Sequence, residues 1–327
     1  MAAETELTVA EAVRIYLADR RAEGQDTRHA AAQFRAHILP VFGETCLADL
    51  SVPALRGWRD RLAATPPRLR TQRRTGAAQR YAAVDLDDAE VRRKRRSSVN
   101  RITTLFKAAL AHAARLHPER CPSPGVWREG LRAFRAVDAP RERWLTRKQA
   151  QRLVAAAEPA FGRLVAAALY TGCRYGELCR AKVGDFDFRT GRLHVPRTKS
   201  GRPRDVVLSD EAAVFFVQIA AGREPGESLF LRPRGRGRAG ELVPWGRGHQ
   251  IRPMRRACKA ARIRPPIGFH GLRHTYASLA VQSGMALIAL AKNLGHTDTR
   301  MVERHYGHLS DPYLESQVAA HALSLED

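Results

Sequence analysis

Apolar residues recur at helical spacing along most of this chain, and between residues 185 and 208 that period gives way to short alternating runs punctuated by glycine. A 3.6-residue period presents one stripe of a helix to a core, whereas a two-residue period presents one face of a sheet. Asp185-Phe186-Asp187-Phe188, Gly191-Arg192-Leu193-His194-Val195 and Arg204-Asp205-Val206-Val207-Leu208 therefore predict a small antiparallel sheet set among helices. The expected fold class is mainly α, with an all-α amino-terminal domain and a mixed α+β carboxy-terminal domain.

Two domains suit a length of 327 residues, and 44% hydrophobic residues suffice for real cores. The formal net charge of +23 is far beyond what solubility requires. Such an excess favours a polyanion, because each neutralised phosphate releases condensed counterions. Nucleic acid is the first candidate partner and an anionic membrane surface the second, although no apolar stretch is long enough to span a bilayer. The start, MAAETELTVAEAV, carries acidic residues and no secretion signal. Five cysteines without a Cys-x-x-Cys pair suit a reduced cytoplasm and argue against a disulfide scaffold or a thiolate zinc site. The expected location is the cytoplasm of a bacterium, at the nucleoid.

In the first half, Thr8 and Glu11 have capping-box spacing ahead of the stripe Val9, Val13, Tyr16 and Leu17. A second helix is expected over 27–38, before Pro40 and Gly43, and a third from Ser51 through Leu55, Trp58 and Leu62 to Pro66-Pro67. Val99, Ile102, Leu105, Phe106, Ala109, Leu110 and Ala113 place another over 98–116. The intervening stretch at 66–96 is charged, poor in apolar periodicity, and ends in Arg92-Arg93-Lys94-Arg95-Arg96. It reads either as a solvated insert or as a loop on a DNA backbone. Four prolines between 117 and 140 mark residues 118–143 as the expected linker between a helical domain at 1–117 and a second domain at 144–327.

The second domain opens at Trp144-Leu145-Thr146, with capping-box spacing between Thr146 and Gln149. An apolar helix from Phe161 to Tyr170 breaks at Thr171-Gly172, and Arg174 begins the next. After the predicted sheet, helices resume at Ser209 and fill the chain from about Arg252, with a basic Gly/Arg loop over 233–240 between them. Lys199-Ser200-Gly201 falls at the turn of the second hairpin. No internal repeat is evident.

Scattered through this domain are the groups that phosphodiester cleavage by a protein hydroxyl demands. Cations must offset charge on the non-bridging oxygens, and arginine does this with a planar fork that keeps its proton. A phenol, which ionises near pKa ~10, needs a base, and the departing oxygen needs an acid. Arg174 lies at a helix start with Glu177 three residues on, where the carboxylate can hold the guanidinium. His270 and Arg273 project together from another helix start. His296 follows Gly295, a helix-ending glycine. Tyr306 lies on the next helix among bases and cations, and Lys199 on its hairpin turn can reach into a groove. His270 and His274, four apart, have the spacing of a zinc pair, but no matching third ligand is evident, so no metal is expected.

The runs Thr171-Gly172-Cys173-Arg174-Tyr175-Gly176-Glu177-Leu178, Thr198-Lys199-Ser200-Gly201, His270-Gly271-Leu272-Arg273-His274-Thr275, Leu294-Gly295-His296 and Tyr306-Gly307-His308-Leu309 resemble, in order and separation, the tyrosine recombinase family of phage-integrase type. The likeness covers roughly 144–311, and more weakly the amino-terminal half, which resembles that family's helical core-binding domain. It implies a site-specific recombinase in which Tyr306 attacks the scissile phosphate to form a 3′-phosphotyrosyl link. Arg174 and Arg273 would clamp the phosphate, His270 would assist as proton acceptor and Lys199 would protonate the departing 5′-oxygen. His296 would hydrogen-bond the phosphate, and Glu177 and His308 would support the site. The resemblance implies no cofactor, two domains closing around double-stranded DNA, and a tetramer joining two sites through a Holliday junction. It also admits an accessory directionality factor. Arg92, Arg93, Lys94, Arg95 and Arg96 are candidate DNA contacts, and a helical tail over 312–327 is expected to dock on a neighbouring protomer.

This chain departs from the family in two places. Many members carry a Thr-Thr pair ahead of the nucleophile, where this chain has Thr299-Arg300-Met301-Val302. Many also have an arm-site domain before the core-binding helices, for which a helical pattern starting at Thr8 leaves no room. Two other readings stay open on the sequence: a DNA-binding protein that keeps the fold without catalysis, and a type IB topoisomerase-like enzyme with the same chemistry.

Overall fold

The structure is a computed structural model that describes residues 7–69, 78–137, 143–196, 203–234, 240–296 and 298–307. The chain divides into two compact units, Met1–Ala139 and Pro140–Asp327. No described helix is long and apolar enough to cross a membrane.

The first unit is all helical: α1 (Val9–Ala22), α2 (Arg28–Gln33), α3 (Leu39–Phe42), α4 (Val52–Ala64), α5 (Ala89–Leu116) and α6 (Pro124–Gly130). Thr8 and Glu11 form the expected capping box of α1, and Ser51 caps α4. The second helix runs further than the sequence suggests. A π-helical stretch, Phe34–Ile38, carries α2 into α3, so Pro40 sits inside the helical run. Val13, Phe34, Ile38, Leu55, Trp58, Phe106 and Leu110 meet in one core.

Two expectations for this unit are corrected. The basic run at 92–96 is helical: Asp88 Oδ1 accepts the Val91 N–H (2.8 Å) and starts α5 at Ala89, nine residues before the expected start. Arg95, expected among the exposed DNA-facing cations, is instead buried and donates to the carbonyls of Thr65 and Leu62, 2.6 Å each, so it caps α4. Arg93 is tied to Glu90 and to Val137 O, and Arg96 lies over the Phe134 ring. Arg92, Lys94 and Arg96 remain exposed. The linker does not begin at 118 either. Ser123 caps α6 with Pro124 at its first position, and Trp127 and Leu131 join the first core. Asn100 then pairs through both its side-chain groups with the Phe134 backbone.

The second unit runs α7 (Arg147–Ala155), α8 (Pro159–Thr171), α9 (Tyr175–Leu178), β1 (Phe186–Asp187), β2 (Arg192–Val195), β3 (Arg204–Val207) and α10 (Asp210–Ala220). It continues with β4 (Leu231–Pro233), β5 (Leu242–Pro244), α11 (Ile251–Ala260), α12 (His270–Gln282), α13 (Leu287–Leu294) and α14 (Arg300–Tyr306). The expected sheet forms as β1-β2-β3, antiparallel, with Leu193 opposite Phe186 and Val206. A second ribbon, β4-β5, brackets the stretch read from sequence as loop. Helix α8 is buried nearly all round, through Phe161, Leu164, Val165, Ala167 and Ala168, and forms the spine of the main core. A smaller cluster joins α12, α13 and α14 through Ala277, Val281, Leu290, Leu294, Val302 and Tyr306.

Candidate active site

The site is built where α8 ends. The Thr171 hydroxyl donates to Ala167 O (2.6 Å) and accepts from Cys173 N–H (3.1 Å), closing the helix. Gly172 leaves it in the left-handed region at φ 64°. A Cβ there would stand 2.5 Å from Tyr276 and 2.6 Å from Leu294, so both conformation and close approach demand glycine.

The turn delivers Arg174 to the start of α9. Glu177 reaches back to it, accepting the Arg174 N–H on Oε2 and its Nη1 on Oε1, 2.9 Å each. The same carboxylate receives Arg204 from β3, Nη2 to Oε2 at 2.9 Å and Nη1 to Oε1 at 3.3 Å. Burial alone would push the Glu177 carboxyl up, but the hydrogen bonds and charge of Arg204, then the hydrogen bonds from Arg174, hold it at about 2. Arg204 also donates Nε to Asn293 O (3.0 Å), while Asn293 Oδ1 accepts the Val207 N–H (2.8 Å). Strand β3 is thereby fastened to the end of α13. There Gly295 turns the chain at φ 75°, and a Cβ on it would lie 2.6 Å from Arg204 Cδ.

Arg273, on the first turn of α12, is 4% exposed. Its Nη1 donates to Gly172 O (2.9 Å), and its Nη2 to Leu294 O (2.8 Å) and His296 Nε2 (3.0 Å). Burial, then the like charges of Arg174 and Arg204, pull the guanidinium down to about 10. Burial and Arg273 likewise lower His296, consistent with a neutral ring that accepts at Nε2. Three guanidinium groups thus gather around one carboxylate. The positive charge exceeds the negative, and paired guanidinium donors of this kind suit an anion with two adjacent oxygens. Arg174, with its side chain 29% exposed, is the open member of the set.

Tyr306 closes α14. Its ring is part of the α12–α13–α14 cluster, and its hydroxyl is hydrogen-bonded to His274 Nδ1 at 2.6 Å. Burial, with His270, His305 and Arg273 adding positive charge, brings His274 down to about 4, so a neutral imidazole faces the phenol. Burial pushes the phenol up to about 12 against the opposing charge of Arg273, and the proton rests on oxygen at neutral pH. His270, exposed at the first position of α12, sets its ring edge-on to His274 with centroids 4.9 Å apart.

Of the residues expected at the site, Arg174 pairs with Glu177, Arg273 with His296, and Tyr306 and His270 both meet His274, while the charge of Arg174 acts on Arg273 and that of Arg273 on Tyr306. Lys199 and His308 lie outside the described residues, as does the 312–327 tail. Arg92–Arg96 belong to α5 of the first unit. Among the described residues no three His, Cys, Asp or Glu side chains gather as a metal site requires. Arg204, Asn293 and His274 were not singled out as site residues. Arg204 lies two residues from Val206 and shares its inward face, and His274 falls one turn after His270, so both carry a periodic signal. Asn293 carried none.

Residues 143–312 match the Phage integrase family, and the chain belongs to that family. The tyrosine recombinase XerA of Saccharolobus solfataricus is 28% identical over 196 residues, 58% of this chain and 56% of that protein. The integrase of Escherichia phage P2 is 27% identical over 190 residues, 57% of this chain and 49% of that protein. The match spans about half the length of these relatives. Among solved structures, the Tn1549 transposon integrase in complex with a circular intermediate DNA superposes with a TM-score of 0.64 at 18% identity, covering 95% of this chain and 99% of that one. A lambda integrase tetramer bound to a Holliday junction gives 0.66 at 18% identity, covering 92% and 78%. These likenesses establish a shared fold.

Proposed function

We propose that this protein is a site-specific DNA recombinase that integrates or excises a mobile element by breaking and rejoining strands through a covalent tyrosine link. The observation that carries the reading is a buried phenol hydrogen-bonded to an imidazole one residue from Arg273, in a site where Arg174 and Arg204 share one carboxylate and the buried Arg273 feels the charge of both. A phosphodiester supplies the anion that this charge lacks, and Tyr306 supplies a nucleophile.

Arg174 and the free hydrogens of Arg273 would hold the non-bridging oxygens, with His296 beside them and Glu177 fixing Arg174. Tyr306 Oη would attack phosphorus and retain the 3′-phosphate, while Lys199 protonates the departing 5′-oxygen. One phosphoester replaces another, so the energy of the broken bond is kept and the step is reversible without ATP. With cations and acids supplied by side chains, the chemistry would ask for no metal. Family membership supports action on paired double-stranded sites as a tetramer through a Holliday junction. The first unit would serve as a DNA-binding domain, the 312–327 tail as an inter-protomer tether, and a directionality factor as a further partner.

The test is to express the protein in its source cells, denature with SDS, and sequence the DNA that stays attached. Adducts at one or two loci, absent with Tyr306→Phe, are expected. Adducts scattered over the genome would instead indicate a topoisomerase, and equal adducts from Tyr306→Phe would remove the nucleophile assignment.

A further inference from the structure

We infer that His274, one helical turn beyond His270, is the group that takes the phenolic proton of Tyr306. This rests on the strand-cleaving reading above and names a catalytic residue that the sequence motifs assigned elsewhere.

The phenol and imidazole stand at 2.6 Å, within the reach that proton transfer demands. Transfer of the proton from Oη to Nδ1 uses the neutral tautomer that carries its hydrogen on Nε2. His274 follows Arg273 directly, so one turn of α12 delivers both the proton acceptor and a phosphate cation. Tyr306 is fixed on the other side by the cluster of α12, α13 and α14. Its oxygen is consequently aimed at His274 before any DNA arrives.

In the step, the Oη–H bond breaks and its proton passes to Nδ1. An Oη lone pair forms the bond to phosphorus, and the bond to the 5′-oxygen breaks with its electron pair. That oxygen takes its proton from the general acid. In the rejoining direction the imidazolium returns the proton to the departing phenolate. His274 is crowded by Arg273 and His270 on its own helix and by His305 on α14, which disfavour an imidazolium in the free protein. The negative phosphodiester lifts that penalty, so substrate binding itself switches the base on. The nucleophile stays protonated, and harmless, until DNA is in place.

The test uses the full chain and a duplex built from the locus that the wild-type protein traps covalently, under single-turnover conditions. His274→Asn keeps an acceptor oxygen near the Nδ1 position but cannot carry the proton. Its cleavage is expected to slow by roughly 100-fold or more with DNA affinity retained. Replacing Tyr306 in that variant with 3,5-difluorotyrosine, a more acidic phenol, should recover part of the loss, a response that lost positioning alone would not give. Should His274→Asn fail to fold, His274→Gly with added imidazole carries the test, rescue supporting the role and its absence opposing it. Cleavage by His274→Asn at the wild-type rate, or no recovery with the acidic phenol, overturns the proton role alone. A wild-type protein that traps no DNA overturns the strand-cleaving reading with it.

Discussion

Replacing Arg204 with methionine should destabilise the second unit out of proportion to the contact area lost. The Glu177 side chain is 2% exposed and that of Arg204 is 7%, so their pair is desolvated. Truncating one partner of such a pair leaves a buried charge and typically costs about 3–5 kcal/mol. Arg174 still contacts the carboxylate from a partly solvated position, which places the expected cost near the lower end, about 3 kcal/mol. Glu177→Gln on top of Arg204→Met removes the stranded charge and should restore part of that loss, a coupling that independent sites would not show.

The pH dependence follows from the carboxyl being held at about 2, below an unfolded value of ~4.3. A depressed carboxyl stabilises the fold above the unfolded value, and that stabilisation is lost as pH falls through the folded one. The gap between wild type and Arg204→Met should therefore be full at neutral pH and shrink on acidification. Hydrogen exchange at the α8 amides reads the opening of this unit separately from the first. A variant opening at the wild-type free energy, a pH-independent gap, or a double variant that simply sums two losses would refute the reasoning.

Lys199→Ala should slow strand cleavage, and a substrate with a 5′-sulfur leaving group, which needs little protonation, should recover the rate; without recovery the general acid lies elsewhere. Arg95→Met should lower the stability of the first unit by about 1–3 kcal/mol by orphaning the Thr65 and Leu62 carbonyls, measured by denaturant unfolding. Its DNA affinity at matched folded fraction should stay unchanged, and a large drop would return Arg95 to the interface. Gly172→Ala should destabilise the second unit by roughly 1–3 kcal/mol through its positive φ, and more if Tyr276 and Leu294 cannot move from the added Cβ. A neutral Gly172→Ala in thermal unfolding would show that the turn is not constrained. DNA binding should weaken steeply with added salt in a titration, since a +23 chain releases counterions from many phosphates, and a flat response would argue against extensive phosphate contact.

Local chemistry was legible in the sequence. The Arg174–Glu177 spacing, the Gly295 helix stop, the capping boxes at Thr8 and Thr146 and the three alternating runs each express contacts within a few residues, and the fold keeps them. What escaped depended on distant partners. Arg95 occupies a slot in the apolar stripe between Val91 and Val99, and a guanidinium there disguised the first turns of α5 as a charged insert. Pro124 looked like a break because proline interrupts a helix, yet it opens one when a serine cap precedes it. Arg204 was an ordinary strand charge until Glu177, 27 residues earlier, met it. His274 suggested a metal pair with His270, and only the packing of α14 against α12 reveals what its Nδ1 faces.

Mass spectrometry of the trapped protein–DNA adduct is the most direct measurement. After digestion with protease and nuclease, the peptide that contains residue 306 is expected to carry a nucleotide 3′-phosphate on the Tyr306 oxygen. A nucleotide on any other residue, or one joined through a 5′-phosphate, would contradict Tyr306 as the nucleophile that breaks and rejoins the strand.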